Sequence, residues 1–232
     1  MRILFLYDFP LWGNGSAHFM RHLISELVSF GHEVAVVTPD KRRLQKNVRT
    51  FTVPWQETPV FVAHPELPKA KPYAKLNSVD IAGLHCAYLH TAIRAYKEFK
   101  PDVVHVNHLF LITWAARYLK AILKAKYIIT VHGSDLHALA NDRRYQLMTG
   151  DAVKGAMMIT PVSGDTRAWF TQLFGRGFDY KLRTQPGGVD VNLFPKCLDT
   201  SMIERRYKLK GKNVVMFAGR LTPQKGTQYL IR

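Results

Sequence analysis

The chain of 232 residues, 47% of them hydrophobic, is long enough for one large domain or for one domain and part of another. No apolar run approaches the roughly 18 residues of a transmembrane helix, and Asp8 and Pro10 come too early for a signal peptide. The only cysteines, Cys86 and Cys197, exclude a disulfide framework or a cysteine zinc site and suit a reducing cytoplasm. The formal net charge of +16 favours polyanionic partners such as nucleic acid, anionic lipid or phosphorylated substrates.

Apolar runs and helical spacings alternate along the chain as far as residue 185. The predicted strands are 2–7, 33–37, 49–53, 102–106, 127–131, 157–160 and 182–185. The predicted helices are 16–30, 78–99, 110–124 and 163–174, with Ser16, Ser78 and Ser163 as candidate caps. Residues 54–75 contain five prolines without periodicity, which indicates a long functional or flexible connection. This alternation predicts an α/β fold with a doubly wound, mainly parallel sheet.

The last part of the chain starts the strand-loop-helix pattern again. Residues 214–218 form a new apolar run, a loop follows at 219–226, and the sequence stops inside the next helix. We therefore predict one domain at 1–195. Residues 196–232 would be a linker and the first strand-loop-helix of a second, truncated domain.

The predicted strand that ends at Val131 is followed by the polar loop His132-Gly133-Ser134-Asp135. Ligands of open α/β sheets bind at the carboxyl ends of the strands, so His132 is placed to contact a ligand. Ser134 or Asp135 could cap the helix that follows. Other histidines near strand ends match no usual metal-ligand spacing, and we predict no metal site; they are His105, His108 and His137.

Two further loops carry features of an anion site. Glycines 13 and 15, on either side of Asn14, lie between a strand and a helix, where backbone N–H groups favour an anion. His18 stands where a dinucleotide fingerprint needs its third glycine, so a simple turn is the alternative. Arg220 and Lys225 flank a loop after the last strand and together suit a diphosphate, unless they are merely two solvated cations.

Six segments taken together resemble the retaining family 4 glycosyltransferases of the GT-B fold. They are Gly15 with the helix that ends in Phe30-Gly-His-Glu-Val-Ala-Val-Val-Thr38, Pro101-Asp-Val-Val-His105, Thr130-Val-His-Gly-Ser-Asp135, Pro161-Val-Ser163, Gly187-Gly-Val-Asp-Val-Asn-Leu-Phe-Pro195 and Gly219-Arg-Leu-Thr-Pro-Gln-Lys-Gly226. The resemblance covers essentially the whole chain and implies the Rossmann-like, acceptor-side domain of a GT-B enzyme, followed by the start of its donor-side domain.

The resemblance also implies an activity: transfer of a sugar from a nucleotide-sugar donor to a hydroxyl of a glycan or lipid acceptor, without a metal or other cofactor. His132 would contact the reacting sugar, Gly15 would lie near the donor phosphates, and Arg220 and Lys225 would hold the donor diphosphate. The remaining residues that we assign to the acceptor side or the lining of the cleft are Gly13, Asn14, His18, Asn107, His108 and Asp135.

The chain departs from the family in one respect. The Glu-x7-Glu motif that grips the donor in the family's second domain is absent, so we expect the chain alone to be inactive. The alternative is a non-catalytic protein that binds a glycan or a lipid with the acceptor domain only. We expect no nucleic-acid binding, because no stripe of Lys and Arg interleaved with aromatic residues is evident.

A basic helix face suggests a membrane as a partner. Arg117, Lys120 and Lys124 recur at three- and four-residue spacing, and Lys69, Lys71 and Lys75 lie in the long connection. Such a rim could dock on anionic lipid, which would place a cytoplasmic protein peripherally on the inner face of the membrane. An ordinary solvated helix face is the alternative.

Overall fold

The apolar runs form one sheet of six parallel strands in the order β3-β2-β1-β4-β5-β6. This is a computed structural model, and it describes residues 1–54, 59–61, 70–194, 198–219, 221 and 225–231. The strands β1 to β6 are Arg2–Tyr7, Glu33–Thr38, Val48–Thr52, Val103–Asn107, Tyr127–Val131 and Met158–Pro161. Leu4 to Tyr7 of the central strand are fully buried, because helices cover both faces of such a sheet. The predicted doubly wound α/β fold is confirmed.

The predicted helices are present, but not all of them begin at the predicted cap. α1 to α8 are Gly15–Ser29, Ser78–Phe99, Leu111–Leu123, Ser134–Asn141, Gln146–Gly155, Gly164–Phe174, Ser201–Tyr207 and Thr227–Ile231. Asn14 rather than Ser16 caps α1, and Asn77 rather than Ser78 caps α2, each by accepting a backbone N–H bond. Ser163 caps α6 as predicted, accepting from the N–H of Thr166.

The predicted strand at 182–185 is wrong: only Leu182 forms an isolated bridge, to Ile159 of β6. The N–H groups of Arg183 and Gln185 do donate to carbonyls of β6. In a parallel pair the N–H of residue 161 would return a bond to Arg183, but residue 161 is proline and has no N–H. The segment 182–185 therefore donates hydrogen bonds to β6 but receives none back from residue 161, and it does not become a seventh strand.

Helix α5 is not predicted from the sequence, and a buried lysine holds its carboxyl end. The ammonium of Lys181 donates to three carbonyl oxygens, those of Val153 at 2.9 Å, Lys154 at 3.0 Å and Ala156 at 3.1 Å. Lys181 is only 5% exposed. A cation at this position satisfies carbonyls that no further helical turn can reach and complements the helix dipole.

Replacing Lys181 by methionine should lower the free energy of unfolding by about 2–3 kcal/mol, because the apolar side chain fills the space but leaves three carbonyls without their charged donor. Urea unfolding followed by circular dichroism measures the change. Lys154→Met is the matched control: Lys154 belongs to the same helix and is exposed, so little change is expected. Equal losses in the two variants would contradict the capping role.

The contacts divide the chain into two compact units, Met1–Gly188 and Val189–Arg232. The predicted boundary between residues 195 and 196 lies outside the described residues. Within the second unit the structure describes α7 and α8, with no regular structure from 212 to 218. The strand predicted at 214–218 is therefore not formed, and no described strand of that unit pairs with it, which an extended segment needs for its backbone bonds.

Candidate functional site

The carboxyl ends of β1, β4 and β5 meet at one edge of the sheet. The strand order reverses between β1 and β4, and a parallel sheet opens a ligand crevice at such a point. Tyr7 pairs with Asn107, and Asn107 pairs with Thr130, so the three strands end in step. The loops that follow these strands therefore converge, and they contain most of the residues predicted from the sequence.

The glycine loop before α1 presents an open surface. Gly13 has a φ of +81°, which favours glycine, and a Cβ added at Gly15 would meet no atom within 4 Å. Asn14 does not offer its amide to a ligand, because Oδ1 accepts from the N–H of Ala17 and from the hydroxyl of Tyr7, and Nδ2 donates to Pro10. The loop is therefore held rigidly from beneath while both glycines stay exposed.

His132 lies at the centre of this edge and is half-buried. Its ring packs between Phe19 of α1, with centroids 5.4 Å apart, and His108, at 4.7 Å. Its Nε2 makes a long contact of 3.4 Å with Oδ1 of Asn107. Burial, together with the neighbouring His108 and His105, lowers the pKa of His132 well below its usual value. A neutral imidazole has one N–H donor and one acceptor, which suits contact with a hydroxyl group.

Asn107 and His108 were predicted to line the cleft, but the structure buries both side chains beneath His132. Nδ2 of Asn107 is buried without a hydrogen-bond partner among the described residues. His108 has a φ of +80°, which is unusual for a residue with a side chain. These two residues form a layer that supports His132 from below.

Asp135 is also fully buried rather than exposed in the crevice. Its carboxylate accepts backbone N–H bonds from Gly133 at 2.8 Å, Leu136 at 3.0 Å and Leu109 at 3.0 Å. Burial raises the pKa of Asp135, although these bonds and His108 oppose the shift. Asp135 thus fastens the loop after β5 to the loop after β4. The prediction that Ser134 or Asp135 caps α4 is wrong: Gly133 takes the cap position without a side-chain bond, and Asp135 lies in the first turn of the helix.

Asp8 is a residue of this edge that sequence analysis missed. It directly follows β1, is fully buried, and its carboxylate bonds to Nδ1 of His108 at 2.9 Å and to the hydroxyl of Tyr73 at 3.1 Å. The sequence offered one indication of a role for Asp8, namely that a charged residue directly follows a central apolar strand. Its partners, however, lie 65 and 100 positions away, and no local pattern reveals such distances.

Three predicted site residues remain: His18, Arg220 and Lys225. His18 is exposed on α1, with its ring 4.4 Å from that of His22. Arg220 lies outside the described residues, and Lys225 belongs to the second unit. The predicted donor-binding role of Gly15, Arg220 and Lys225 stays a prediction.

The histidines do not gather into a metal site in the part of the chain that the structure describes, where no three side chains of His, Cys, Asp or Glu are placed to share an ion. His105 belongs to β4, with Nε2 2.7 Å from Oγ1 of Thr130 in β5 and its ring against Phe5 of β1. His137 is exposed on α4, 6.0 Å from the ring of Trp169. The expectation of a metal-free site stays a prediction.

The burial of His105 should make the chain sensitive to acid. Burial lowers the pKa of His105 to about 4, against about 6.5 in an unfolded chain. As the pH falls from about 6.5 towards 4, His105 binds a proton in the unfolded state but stays neutral in the folded state. The free energy of unfolding therefore decreases, by about 2–3 kcal/mol at pH 4.5 compared with its value above pH 6.5. Urea unfolding at a series of pH values measures this loss.

His105→Gln is the comparison, because its amide can still reach Thr130 but does not titrate. We expect a flatter pH dependence in this variant, while the other titrating groups act equally in both proteins. Parallel curves between about pH 6.5 and 4.5 would exclude this role of His105.

Comparisons with known proteins identify the family of the chain. A family model described as Glycosyltransferase Family 4 matches residues 13–193. The chain is 24% identical over 223 residues to a GDP-mannose-dependent alpha-mannosyltransferase of Mycobacterium tuberculosis (strain CDC 1551 / Oshkosh), covering 91% of this chain and 53% of that protein. The chain thus spans about half the length of this curated relative.

Solved structures share the fold. A sucrose-phosphate synthase from Thermosynechococcus elongatus superposes with a TM-score of 0.72 at 16% identity, over 99% of this chain and 58% of that one. Anabaena HepE in complex with UDP superposes with a TM-score of 0.62 at 18% identity, over 100% and 56%. HepE has also been solved with UDP-glucose. At these identities the likeness concerns the fold alone.

Proposed function

Because the chain belongs to Glycosyltransferase Family 4, we propose that it is the acceptor-side domain of a retaining glycosyltransferase that uses a nucleotide-sugar donor. The observation that carries this proposal is the neutral His132 at the reversal of strand order, beside the open glycine loop at Gly13 and Gly15. The nucleotide-sugar named for the mannosyltransferase and the UDP-glucose bound by HepE support this donor class.

In the proposed mechanism, a hydroxyl of a glycan or lipid acceptor attacks the anomeric carbon, and the configuration at that carbon is retained. His132 hydrogen-bonds the reacting sugar and keeps it in place. Arg220 and Lys225, together with backbone N–H groups of the loop at Gly15, stabilise the charge on the departing diphosphate. No metal ion is required in this scheme, because the cations of the chain take over the neutralisation of the leaving group.

The experiment compares residues 1–232 with the same chain extended to the natural end of its gene. Both are incubated with UDP- and GDP-sugars, release of the nucleoside diphosphate is measured, and NMR reports the anomeric configuration of the product. We expect release with retention from the extended protein and none from residues 1–232 alone. Turnover by residues 1–232 would refute their proposed inactivity, and an inverted product would refute retention.

The same screen tests the alternative function, a non-catalytic protein that binds a glycan or a lipid. An extended protein that binds an acceptor glycan but releases no nucleoside diphosphate with any donor would favour the binding protein over the enzyme. Isothermal titration with candidate acceptors supplies the binding half of this comparison.

The basic face of α3 is only partly free for a membrane. Arg117 pairs with Asp151 at 2.8 Å, and Lys120 donates to the carbonyl of Gly155 at 2.6 Å, so α5 occupies two of the three predicted cations. Lys69 lies outside the described residues. None of the described helices is long and apolar enough to span a bilayer.

One observation still favours a peripheral contact on α3: the apolar side chains of Tyr118 and Ile122 are 42% and 61% exposed, next to the exposed Lys124. We propose that this patch touches anionic lipid, and we expect flotation with liposomes that contain phosphatidylglycerol at low salt. Ile122→Ser and Lys124→Glu should each reduce flotation severalfold. Absent or salt-independent flotation would contradict the contact.

A further inference from the structure

Asp8 connects three separate parts of the chain at one buried point. Its Oδ1 accepts from Nδ1 of His108, its Oδ2 accepts from the hydroxyl of Tyr73, and its backbone carbonyl accepts from the hydroxyl of Tyr88 at 2.8 Å. His108 follows β4, Tyr73 lies in the 3₁₀ turn Tyr73–Lys75 before α2, and Tyr88 belongs to α2. A fully buried carboxylate is tolerated when its oxygens receive such bonds.

The bond to Asp8 fixes the imidazole of His108. A carboxylate only accepts hydrogen bonds, so Nδ1 of His108 must carry the proton that it shares with Asp8. The backbone of His108 is held as well, because its N–H donates to the carbonyl of Thr130 at 3.0 Å. A histidine with a φ of +80° persists where its surroundings determine the conformation, and such residues cluster at functional sites.

The fixed ring of His108 packs against the ring of His132. The two rings are 4.7 Å apart, and the other described ring against His132 is that of Phe19. His132 has no side-chain hydrogen bond shorter than 3.4 Å among the described residues. Ring packing on His108 and Phe19, with the long bond from Nε2 to Asn107, therefore sets the orientation of His132. Nδ1 of His132 makes no hydrogen bond among the described residues and is available to a ligand.

We propose that Asp8 is a positioning residue for His132, acting through His108. This inference rests on the proposed function, since it concerns the side chain that we place against the reacting sugar. Asp8 is not a catalytic residue: it is fully buried, and its oxygens are occupied by His108 and Tyr73. The consequence is that a change at Asp8 acts on the rate of transfer through the orientation of an imidazole that Asp8 does not touch.

The chain offers a set of matched variants. Asp8→Ala removes both side-chain bonds, whereas Asp8→Asn keeps an oxygen that can accept from Nδ1 of His108. Tyr73→Phe removes one bond to the same carboxylate and leaves His108 in place. His108→Asn keeps a donor for Asp8 and a residue type that tolerates a positive φ, but it lacks the ring that touches His132.

The first measurement needs no sugar transfer. In ¹⁵N-histidine-labelled chain, long-range ¹H–¹⁵N spectra report the tautomer of each ring, and His108→Asn and His132→Gln assign the two signals. We expect His108 protonated at Nδ1 in the wild type and in Tyr73→Phe. In Asp8→Ala that tautomer should be lost and the His132 signals should shift, whereas Asp8→Asn should restore both. Unmoved His132 signals in Asp8→Ala would overturn the proposal.

The second measurement uses the protein extended to its natural end, with kcat and KM for donor and acceptor. Asp8→Ala and His108→Asn should lower kcat at least tenfold while changing KM less than threefold; Asp8→Asn should stay within threefold of the wild type, and Tyr73→Phe within twofold. If Asp8→Ala does not fold, the kcat of His108→Asn tests the positioning role alone. A wild type without transfer refutes the proposed function, whereas unchanged kcat in His108→Asn or Asp8→Ala refutes the positioning role.

Discussion

Replacing His132 by alanine should lower kcat for sugar transfer by about a hundredfold or more in the protein extended to its natural end. His132 is the half-buried side chain at the reversal of strand order, and its neutral imidazole keeps hydrogen-bonding capacity for a ligand. Loss of one positioned hydrogen-bonding group in an active site typically costs on the order of 10²–10³ in rate. Steady-state kinetics with a fixed donor measures the effect.

The matched control is His137→Ala. His137 is exposed on α4, about one turn after the loop that contains His132, and contacts Trp169 rather than the residues around His132. We expect its kcat to stay within about twofold and both variants to keep the melting temperature within a few degrees. A loss below about fivefold for His132→Ala, or equal losses in the two variants, would remove His132 from the transfer step.

His132→Gln separates the two contributions of the side chain. The glutamine amide can place a polar group near the former Nε2 but does not restore the ring between Phe19 and His108. An activity between those of the wild type and His132→Ala would show that both the hydrogen bond and the ring packing contribute. Activity equal to that of the wild type would assign the whole effect to the hydrogen bond.

The sheet could be predicted from the sequence because its central strands are buried on both faces. Such strands appear as continuous apolar runs, as at Leu4 to Tyr7 and Val34 to Val37. The run Val214 to Ala218 has the same composition, yet it is not a strand in this structure. Composition indicates that a segment suits a sheet, whereas a strand also needs a neighbour for its N–H and C=O groups.

The candidate site could be predicted only at its surface. His132, Gly13 and Gly15 are visible in the sequence because each follows the end of an apolar run or lies between a strand and a helix. The support of His132 comes from Asp8 and His108, which meet only after three crossovers of the chain. Local patterns carry no information on such contacts, and so Asn107, His108 and Asp135 were assigned to the lining of the crevice rather than to the layer beneath it.

Helix α5 escaped prediction for a related reason. Two glycines, Gly150 and Gly155, lie within ten residues, and glycine lowers helix propensity. The structure does not require glycine at position 150, since an added Cβ would meet no atom within 4 Å. Gly155 is different, because the helix ends there against the start of β5, and only a residue without a side chain leaves room for that contact.

Gly155→Ala should lower the free energy of unfolding by about 2–4 kcal/mol. A Cβ at this position would lie 2.5 Å from the hydroxyl oxygen of Tyr127 and 2.9 Å from Cδ of Arg117. Arg117 can move at the cost of its ion pair with Asp151. Tyr127 cannot, because its ring is fully buried and its hydroxyl donates to the carbonyl of Ala152. Overpacking of this kind, together with a lost buried hydrogen bond, accounts for the magnitude.

Gly150→Ala is the matched control in the same helix, and there the sign should reverse. Alanine has the higher helix propensity and meets open space, so the free energy of unfolding should rise by up to about 1 kcal/mol. Urea unfolding of both variants and of the wild type gives the two differences. If Gly155→Ala were as stable as Gly150→Ala, the close approach of α5 to Tyr127 would be refuted.

The double variant Gly155→Ala with Tyr127→Phe tests the cause of the expected loss. Tyr127→Phe alone removes the bond to Ala152 and should cost about 1 kcal/mol. It also removes the oxygen that the new Cβ would strike, so the double variant should be more stable than the sum of the single losses predicts. Strict additivity would mean that the alanine acts elsewhere, through Arg117, and that the hydroxyl of Tyr127 does not limit the residue at the end of α5.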